Sequence, residues 1–146
     1  LHPLSHQHHN GLALCVLLER SLAQDGSEAN LTRLAAKVWD WFLAELVSHF
    51  ALEEDLLFPA IQSELGPSAL LAELTAEHRR MERMAHQIRA LASETDLLAF
   101  AALLRTHIRR EENELFEQIQ GRLRPETMEQ LGREFETRAV RVCLEP

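Results

Sequence analysis

Two segments of the chain repeat one ten-residue pattern, and this repeat constrains the fold more than any other feature. Residues 49–58 read HFALEEDLLF and residues 107–116 read HIRREENELF, so both follow H-x-x-x-E-E-[D/N]-x-L-F. A spacing of four places the histidine of each segment beside its first glutamate on one helix face. The two pairs are His49 with Glu53 and His107 with Glu111. The repeat therefore predicts two helices that each present an imidazole and a carboxylate together.

Both motifs fall on the apolar face of their predicted helices. His49 follows Phe42 by seven residues, so it continues a stripe that points into the core. His107 follows Phe100 by the same interval. A buried carboxylate is costly unless its charge is compensated, and metal cations supply that compensation directly. The core-facing placement therefore favours a metal site over two solvated charged faces that match by chance.

The first and third predicted helices each carry a histidine at a matching depth. His78 follows Leu74 by four residues on its apolar stripe. His8 lies four residues from both Leu4 and Leu12. Imidazole and carboxylate together suit iron, manganese or zinc, and helix bundles build two-metal sites from inward-facing residues of all four helices. The predicted metal ligands are His8, His49, Glu53, His78, His107 and Glu111.

The number of ligands fits two metal ions. Four histidines give two to each metal, and Glu53 and Glu111 can each bridge both metals. An oxo or hydroxo bridge from solvent would bring each metal to five ligands and leave a position open for a small molecule such as dioxygen. Spacing alone does not show which carboxylates bridge.

The run HQHH at residues 6–9 leaves two choices for the ligand from the first helix. His8 and His9 can both reach the interior of a bundle. His8 fits the apolar stripe better, so we favour it over His9.

Apolar spacing along the rest of the chain predicts four long helices and a short fifth one. The expected ranges are about 4–23, 30–65, 68–92 and 97–120, with the last helix opening at Pro125. Asn30 is the expected N-cap of the second helix, and Gly121 is the expected C-terminal cap of the fourth. Pro59 should kink the second helix or shift its last turn, because proline has no N–H to donate. Short connections favour antiparallel neighbours, so the predicted fold is an all-α, antiparallel up-down-up-down four-helix bundle.

Length and composition fit one metal-binding domain over residues 1–146. Five glycines and five prolines leave little material for the turns of a β protein. The net charge of -8 and the scattered arginines argue against nucleic acid or an anionic membrane as partner. Cys15 and Cys143 imply no disulfide framework, so we expect a cytoplasmic protein. Cys15 falls on a buried stripe and is expected to be a small core residue.

The arrangement of these residues resembles the hemerythrin-like (HHE cation-binding) family. That family has a histidine on the first helix, H-x-x-x-E on the second, a histidine on the third and H-x-x-x-E on the fourth. The segments LSHQHHNGL, HFALEEDLLFP and EHRRM are also similar to the family, and the resemblance covers nearly the whole chain. It implies two iron ions that bind or sense dioxygen, another small diatomic molecule or iron. The alternative is a di-iron oxidoreductase acting on peroxide or nitric oxide, or an iron donor in iron–sulfur cluster repair.

The chain departs from hemerythrin proper at one position. Hemerythrin has a second histidine four residues after the first on its third helix, where this chain has Glu82. The remaining set of four histidines and two glutamates resembles the cluster-repair and iron-sensing branches more than the dioxygen carriers. Glu82 is one turn beyond His78 and is a candidate seventh ligand. A metal-free helical interaction module is a further alternative, but it would leave Glu53 and Glu111 buried without compensation.

Overall fold

The structure is a computed structural model that describes the backbone of residues 2–144 and the side chains of residues 4–138. Within these residues the chain is helical and has no strand, which confirms the predicted all-α fold. The helices are α1 (His2–Gln24), α2 (residues 28–65), α3 (Ala69–Ala90), α4 (residues 94–119) and α5 (Pro125–Leu144). Helices α1 and α3 each pack against α2 and α4, which closes the antiparallel bundle. No helix of the described part is both long enough and apolar enough to cross a membrane.

A serine side chain sets the start of α2. The Oγ atom of Ser27 accepts a 3.2 Å hydrogen bond from the backbone N–H of Asn30, so the helix begins at Glu28. The prediction that Asn30 is the N-cap is wrong, because Ser27 already satisfies a free N–H group of the first turn. Asn30 is buried instead, and its side-chain amide donates to the carbonyl oxygen of Asp25 at 2.7 Å.

The ends of α4 and the start of α5 lie close to their predicted positions. Ser93 caps α4 by accepting a 3.0 Å hydrogen bond from the N–H of Asp96, so this helix begins three residues earlier than predicted. Gly121 follows α4 with φ +79°, which confirms the predicted C-terminal glycine. Pro125 is the first residue of α5, as predicted.

Three turns of the long helices are wider than an α-helix. Two lie in α2, at Phe42–Leu46 and Glu53–Leu57, and one lies in α4, at Glu111–Leu115. The N–H of the residue after each segment donates to the carbonyl of the segment's first residue, five positions back, which defines a π-helix. Two of the three segments thus begin at the first glutamates of the repeated motif. The repeat alone did not predict them.

Pro59 lies directly after one of these wide turns. It stands in the first turn of the α-helical segment Phe58–Leu65, next to the π segment Glu53–Leu57. A proline in the first turn of an α-helical segment costs little, because the N–H groups of that turn lack a hydrogen-bond acceptor within the segment. The expected disturbance at Pro59 is therefore a change of helix type, and α2 continues through it.

Buried apolar side chains form two clusters on either side of a polar layer. The first core cluster draws on residues 14–22, 34–50, 81–88 and 97–108. The second core cluster draws on Leu4 and on residues 52–61, 71–74, 115–123 and 131–135. In each of the four long helices, the predicted metal ligands lie where one cluster ends and the other begins. The order of residues in every helix therefore brings the ligands to one level of the bundle.

Helix α5 covers the end of the bundle that the second core cluster fills. Leu131 and Phe135 are buried in that cluster. Arg138 forms an ion pair with Asp55 at 3.2 Å, and α5 contacts both α1 and the π segment Glu53–Leu57. The C-terminal helix thus packs against the part of α2 that carries one of the predicted ligands.

Candidate metal centre

The six predicted ligands meet at the polar layer between the two core clusters, and all six side chains are buried. They come from α1 (His8), α2 (His49 and Glu53), α3 (His78) and α4 (His107 and Glu111). His8 is turned inward with Leu4, whereas His9 is exposed, so the structure places His8 at the centre. One level of the bundle therefore holds four imidazoles and two carboxylates.

The six side chains form two groups of four that share both carboxylates. In the first group, which we call position A, one ligand atom each of His8, His49, Glu53 and Glu111 lie within 4.8 Å of one another. In the second group, position B, the same holds for Glu53, His78, His107 and Glu111. Each position thus has two imidazoles of its own, and the two glutamates lie between the positions.

The Nε2 atoms of the imidazoles face the two carboxylates. His49 Nε2 and His78 Nε2 lie 3.1 and 3.0 Å from Glu53 Oε1. His8 Nε2 lies 3.4 Å from Glu111 Oε2, and His107 Nε2 also contacts Glu111, without hydrogen-bond geometry. All four Nε2 atoms therefore face the space between the helices.

Several of these atoms have no hydrogen-bond partner. Within the described side chains, the buried polar atoms in this condition are His8 Nδ1 and Nε2, Glu53 Oε2, His107 Nε2, and both carboxylate oxygens of Glu111. Buried polar atoms normally pair with a partner, because their desolvation otherwise costs free energy. All of these atoms belong to predicted ligands, and nitrogen with carboxylate oxygen is a donor set that iron, manganese or zinc accepts. The residues present therefore fit a metal cation.

The electrostatics of the two glutamates also call for a cation. Burial, together with the charge of Glu111, raises the pKa of Glu53 well above its usual value. Burial has the same tendency at Glu111, but the adjacent side chains of Glu53 and His107 hold its pKa well below the usual value. Two facing carboxylates do not both stay ionised in a buried site unless positive charge compensates them.

Two of the imidazoles differ in their affinity for protons. Burial lowers the pKa of His78 to about 2, so its ring is neutral, which is the form of histidine that binds metals. Burial also disfavours protonation of His107, but the adjacent carboxylate of Glu111 outweighs it and raises the pKa to about 9. A cation at position B would take the place of the proton on His107.

The outward-facing Nδ1 atom of each candidate ligand imidazole contacts a side-chain oxygen. We call the four residues that supply these oxygens the outer ring. The contacts are His8 with Glu112 at 3.4 Å, His49 with Gln7 at 2.8 Å, His78 with Glu54 at 2.9 Å, and His107 with Glu77 at 2.8 Å. An acceptor at Nδ1 holds the proton there and leaves Nε2 to bind the metal.

The outer ring follows a cyclic order around the bundle. Each of its residues is next in sequence to a ligand on its own helix but contacts a histidine on the neighbouring helix. Gln7 on α1 contacts α2, Glu54 on α2 contacts α3, Glu77 on α3 contacts α4, and Glu112 on α4 contacts α1. We did not predict these residues. The second glutamate of each repeated E-E pair was the available signal.

Arginines hold two members of the outer ring in place. Arg79 forms an ion pair with Glu54, and Arg110 contacts Glu77 at 2.8 Å. Glu82, the candidate seventh ligand, pairs with Arg79 and is not among the ligand atoms of position A or B. The structure therefore places Glu82 outside the metal centre and outside the outer ring, where it pairs with the arginine that contacts Glu54.

Aromatic and aliphatic side chains enclose the centre. Phe50 stacks on His78 with ring centroids 3.9 Å apart, and Phe116 stacks on His8 at 5.5 Å. A cavity of about 10 Å³ borders His8, His49 and His107 on the side of the first core cluster; its other walls include Trp41, Leu46, Leu104 and Ile108. Its size matches about one water molecule, so the space beside the ligands suits only a very small molecule.

Cys15 lies away from this centre. Its side chain is fully buried in the first core cluster, and its thiol donates to the carbonyl oxygen of Ala101 at 3.3 Å. Burial raises its pKa to about 11. The prediction of a core residue is confirmed. The side chain of Cys143 is outside the described residues.

Comparisons with known proteins agree with this geometry. The family model of the hemerythrin HHE cation binding domain matches residues 1–119. A DNA nickase of Nostoc sp. strain PCC 7120 is 31% identical over 96 residues, which cover 62% of this chain and 27% of that protein. The chain thus spans about a quarter of the length of this relative. No solved structure matches the chain.

Proposed function

This chain belongs to the hemerythrin HHE cation binding domain family, and from that premise we propose that it binds two iron ions at positions A and B. We further propose that the iron pair binds or senses dioxygen or another small diatomic molecule. The observation that carries the proposal is the sharing of Glu53 and Glu111 by two groups of four ligand atoms. A bound ferrous pair would supply electrons to dioxygen as it binds.

The residues of the chain have distinct roles in this proposal. Glu53 and Glu111 bridge the two positions and balance the positive charge of the ions. The histidines bind through Nε2, since their Nδ1 atoms contact the outer ring. Phe50 and Phe116 pack against ligand imidazoles and keep bulk water away from the centre.

The cavity beside the ligands supports a diatomic molecule as the one that binds. At about 10 Å³ it has room for one small molecule and excludes larger substrates. Trp41 lies at its border, with its indole N–H donating to Glu45 at 2.5 Å.

Nickase activity is not part of the proposal. The similarity to the DNA nickase covers 27% of that protein, and the acidic net charge of -8 disfavours the phosphate backbone of nucleic acids. We expect no binding of DNA by this chain at physiological salt.

The proposal is tested by loading the protein with ferrous iron under anaerobic conditions. Metal content and visible absorption are measured before air, after air and after removal of the oxygen. Two irons per chain, with an absorption change that reverses on deoxygenation, is the expected result. Irreversible oxidation, with turnover of peroxide or nitric oxide above that of free iron, would replace the binding role by the oxidoreductase alternative. Loss of iron to an apo iron–sulfur protein would replace it by the repair alternative. Failure to bind two ions would overturn the proposal.

A further inference from the structure

We propose that the two metal positions are unequal: position B holds its ion tightly, and position A holds an exchangeable ion. This inference rests on the proposed function, because it requires two bound ions. The six ligands do not distinguish the positions, since each has two imidazoles and shares both carboxylates. The difference lies in the outer ring.

The imidazoles of position B have ionised partners. His78 contacts the carboxylate of Glu54 at 2.9 Å, and His107 contacts the carboxylate of Glu77 at 2.8 Å. Both carboxylates are fixed by arginines, through the ion pairs of Arg79 with Glu54 and Arg110 with Glu77. A carboxylate acceptor at Nδ1 increases the electron density of the ring and makes Nε2 a stronger metal ligand.

The imidazoles of position A have weaker partners. His49 contacts the amide oxygen of Gln7 at 2.8 Å. An amide carries no net charge, so it polarises the imidazole less than a carboxylate does. His8 faces Glu112 at 3.4 Å, beyond a good hydrogen-bond distance, and the Glu112 side chain is 44% exposed. Solvent screens the charge of such a side chain. Nε2 is therefore a weaker donor on both rings of position A.

The surroundings of the two positions differ in the same direction. His78 at position B is sandwiched between Phe50 at 3.9 Å and Phe58 at 6.0 Å, measured between ring centroids. Both imidazoles of position A border the small cavity, as does one imidazole of position B, His107. Position A therefore has free space beside both of its imidazoles, whereas position B has it beside one.

An exchangeable ion would give the centre a graded response to metal concentration. Position B would fill first and keep the bundle folded, and position A would fill only when the free metal concentration is higher. The occupancy of position A would then report the supply of metal.

The experiment is an anaerobic titration of the metal-free full chain with Co²⁺, followed by visible absorption and by competition with a chelator. We expect two phases of one ion each, with dissociation constants at least about ten-fold apart. Gln7→Glu should tighten the weak phase several-fold and leave the tight phase unchanged. Glu54→Gln should weaken the tight phase by about ten- to a hundred-fold. Gln24→Glu is the matched control, because it adds the same charge to an exposed part of α1.

The possible outcomes separate this inference from the proposed function. Two ions that bind in one phase, or a Gln7→Glu variant that shifts the tight phase, would overturn the inference and leave the two-metal function intact. Fewer than two ions at saturating Co²⁺ would overturn both. Circular dichroism of each variant checks its folding, and Glu54→Gln tests the inference independently if Gln7→Glu does not fold.

Discussion

Glu77 of α3 accepts a 2.8 Å hydrogen bond from Nδ1 of His107 on α4, although the ligand next to Glu77 in the sequence is His78 on its own helix. The same offset occurs on every side of the bundle. A rotation of one helix would therefore displace a ligand of that helix and, at the same time, the support of a ligand on the next. Such mutual dependence holds the imidazoles in the orientation that metal binding needs.

Glu111 should be needed for metal at both positions, because its carboxylate belongs to both groups. We expect Glu111→Gln to reduce the content from two ions to less than about one per chain, measured by elemental analysis after gel filtration. The control is Glu114→Gln, which neutralises a 51% exposed glutamate on the same helix and should retain both ions. Full occupancy in Glu111→Gln would contradict the assignment of this residue as a shared ligand.

Removal of metal should lower the melting temperature. A cation that binds the folded chain at 100 times its dissociation constant adds about 2.7 kcal/mol to the free energy of unfolding. For a chain of this length, we expect chelation to lower the melting temperature by roughly 5–10 °C. Calorimetry with and without chelator measures the shift, and the Glu53→Gln, Glu111→Gln double variant is the control. A shift of equal size in the double variant would show that the chelator acts elsewhere.

Without metal, stability should fall as the pH rises from about 6.5 to 9. His107 has a folded-state pKa of about 9, raised above the unfolded value of 6.5 because the adjacent Glu111 carboxylate outweighs burial. The stabilisation by protonated His107 is complete below pH 6.5 and is lost as the pH rises through 9, with a size on the order of 3 kcal/mol. The measurement is urea unfolding in chelator at several pH values. His107→Gln should flatten the curve, whereas His86→Gln, at an exposed position, should leave it unchanged.

The thiol of Cys15 should be unreactive in the folded protein. Burial raises its pKa to about 11 and the side chain has no exposed surface, so little thiolate is available at pH 8. In a Cys143→Ser variant, where Cys15 is the remaining thiol, we expect alkylation by iodoacetamide to be at least about a hundred-fold slower than in urea. Rapid labelling of the folded variant would show that the first core cluster opens readily.

The cap of α2 should contribute measurably to stability. Ser27→Ala removes the hydrogen bond to the N–H of Asn30 and should cost about 1 kcal/mol in the free energy of unfolding. Ser68 occupies the corresponding position before α3 but makes no capping hydrogen bond, so Ser68→Ala should cost much less. Chemical denaturation of both variants gives the comparison, and equal costs would argue against a specific role for Ser27.

The burial of the six candidate ligands could be predicted because the direction of each side chain depends on one helix at a time. The period of the α-helix places His49 beside Glu53 on one helix face, and no knowledge of the neighbouring helices is needed. The same period separates His8 from His9. The sequence of each single helix therefore predicts which of these side chains point into the bundle.

The outer ring could not be predicted in the same way. The contact of Gln7 with His49 depends on the relative rotation of α1 and α2, which the sequence of one helix does not contain. Glu82 shows the same limit for a predicted residue. It shares the helix face of His78, but its carboxylate pairs with Arg79 and does not reach the centre. Asn30 was misassigned for a similar reason, since the start of α2 depends on a competition with Ser27.

The π segments at Glu53–Leu57 and Glu111–Leu115 have a consequence for how chains of this kind are aligned. Each adds one residue to a single turn, and one residue corresponds to a rotation of about 100° in an α-helix. The part of α2 before Glu53 and the part after Leu57 are therefore out of register with a single uninterrupted period. A bundle with regular α-helices at this level would therefore align to this chain only with a one-residue gap within each π segment.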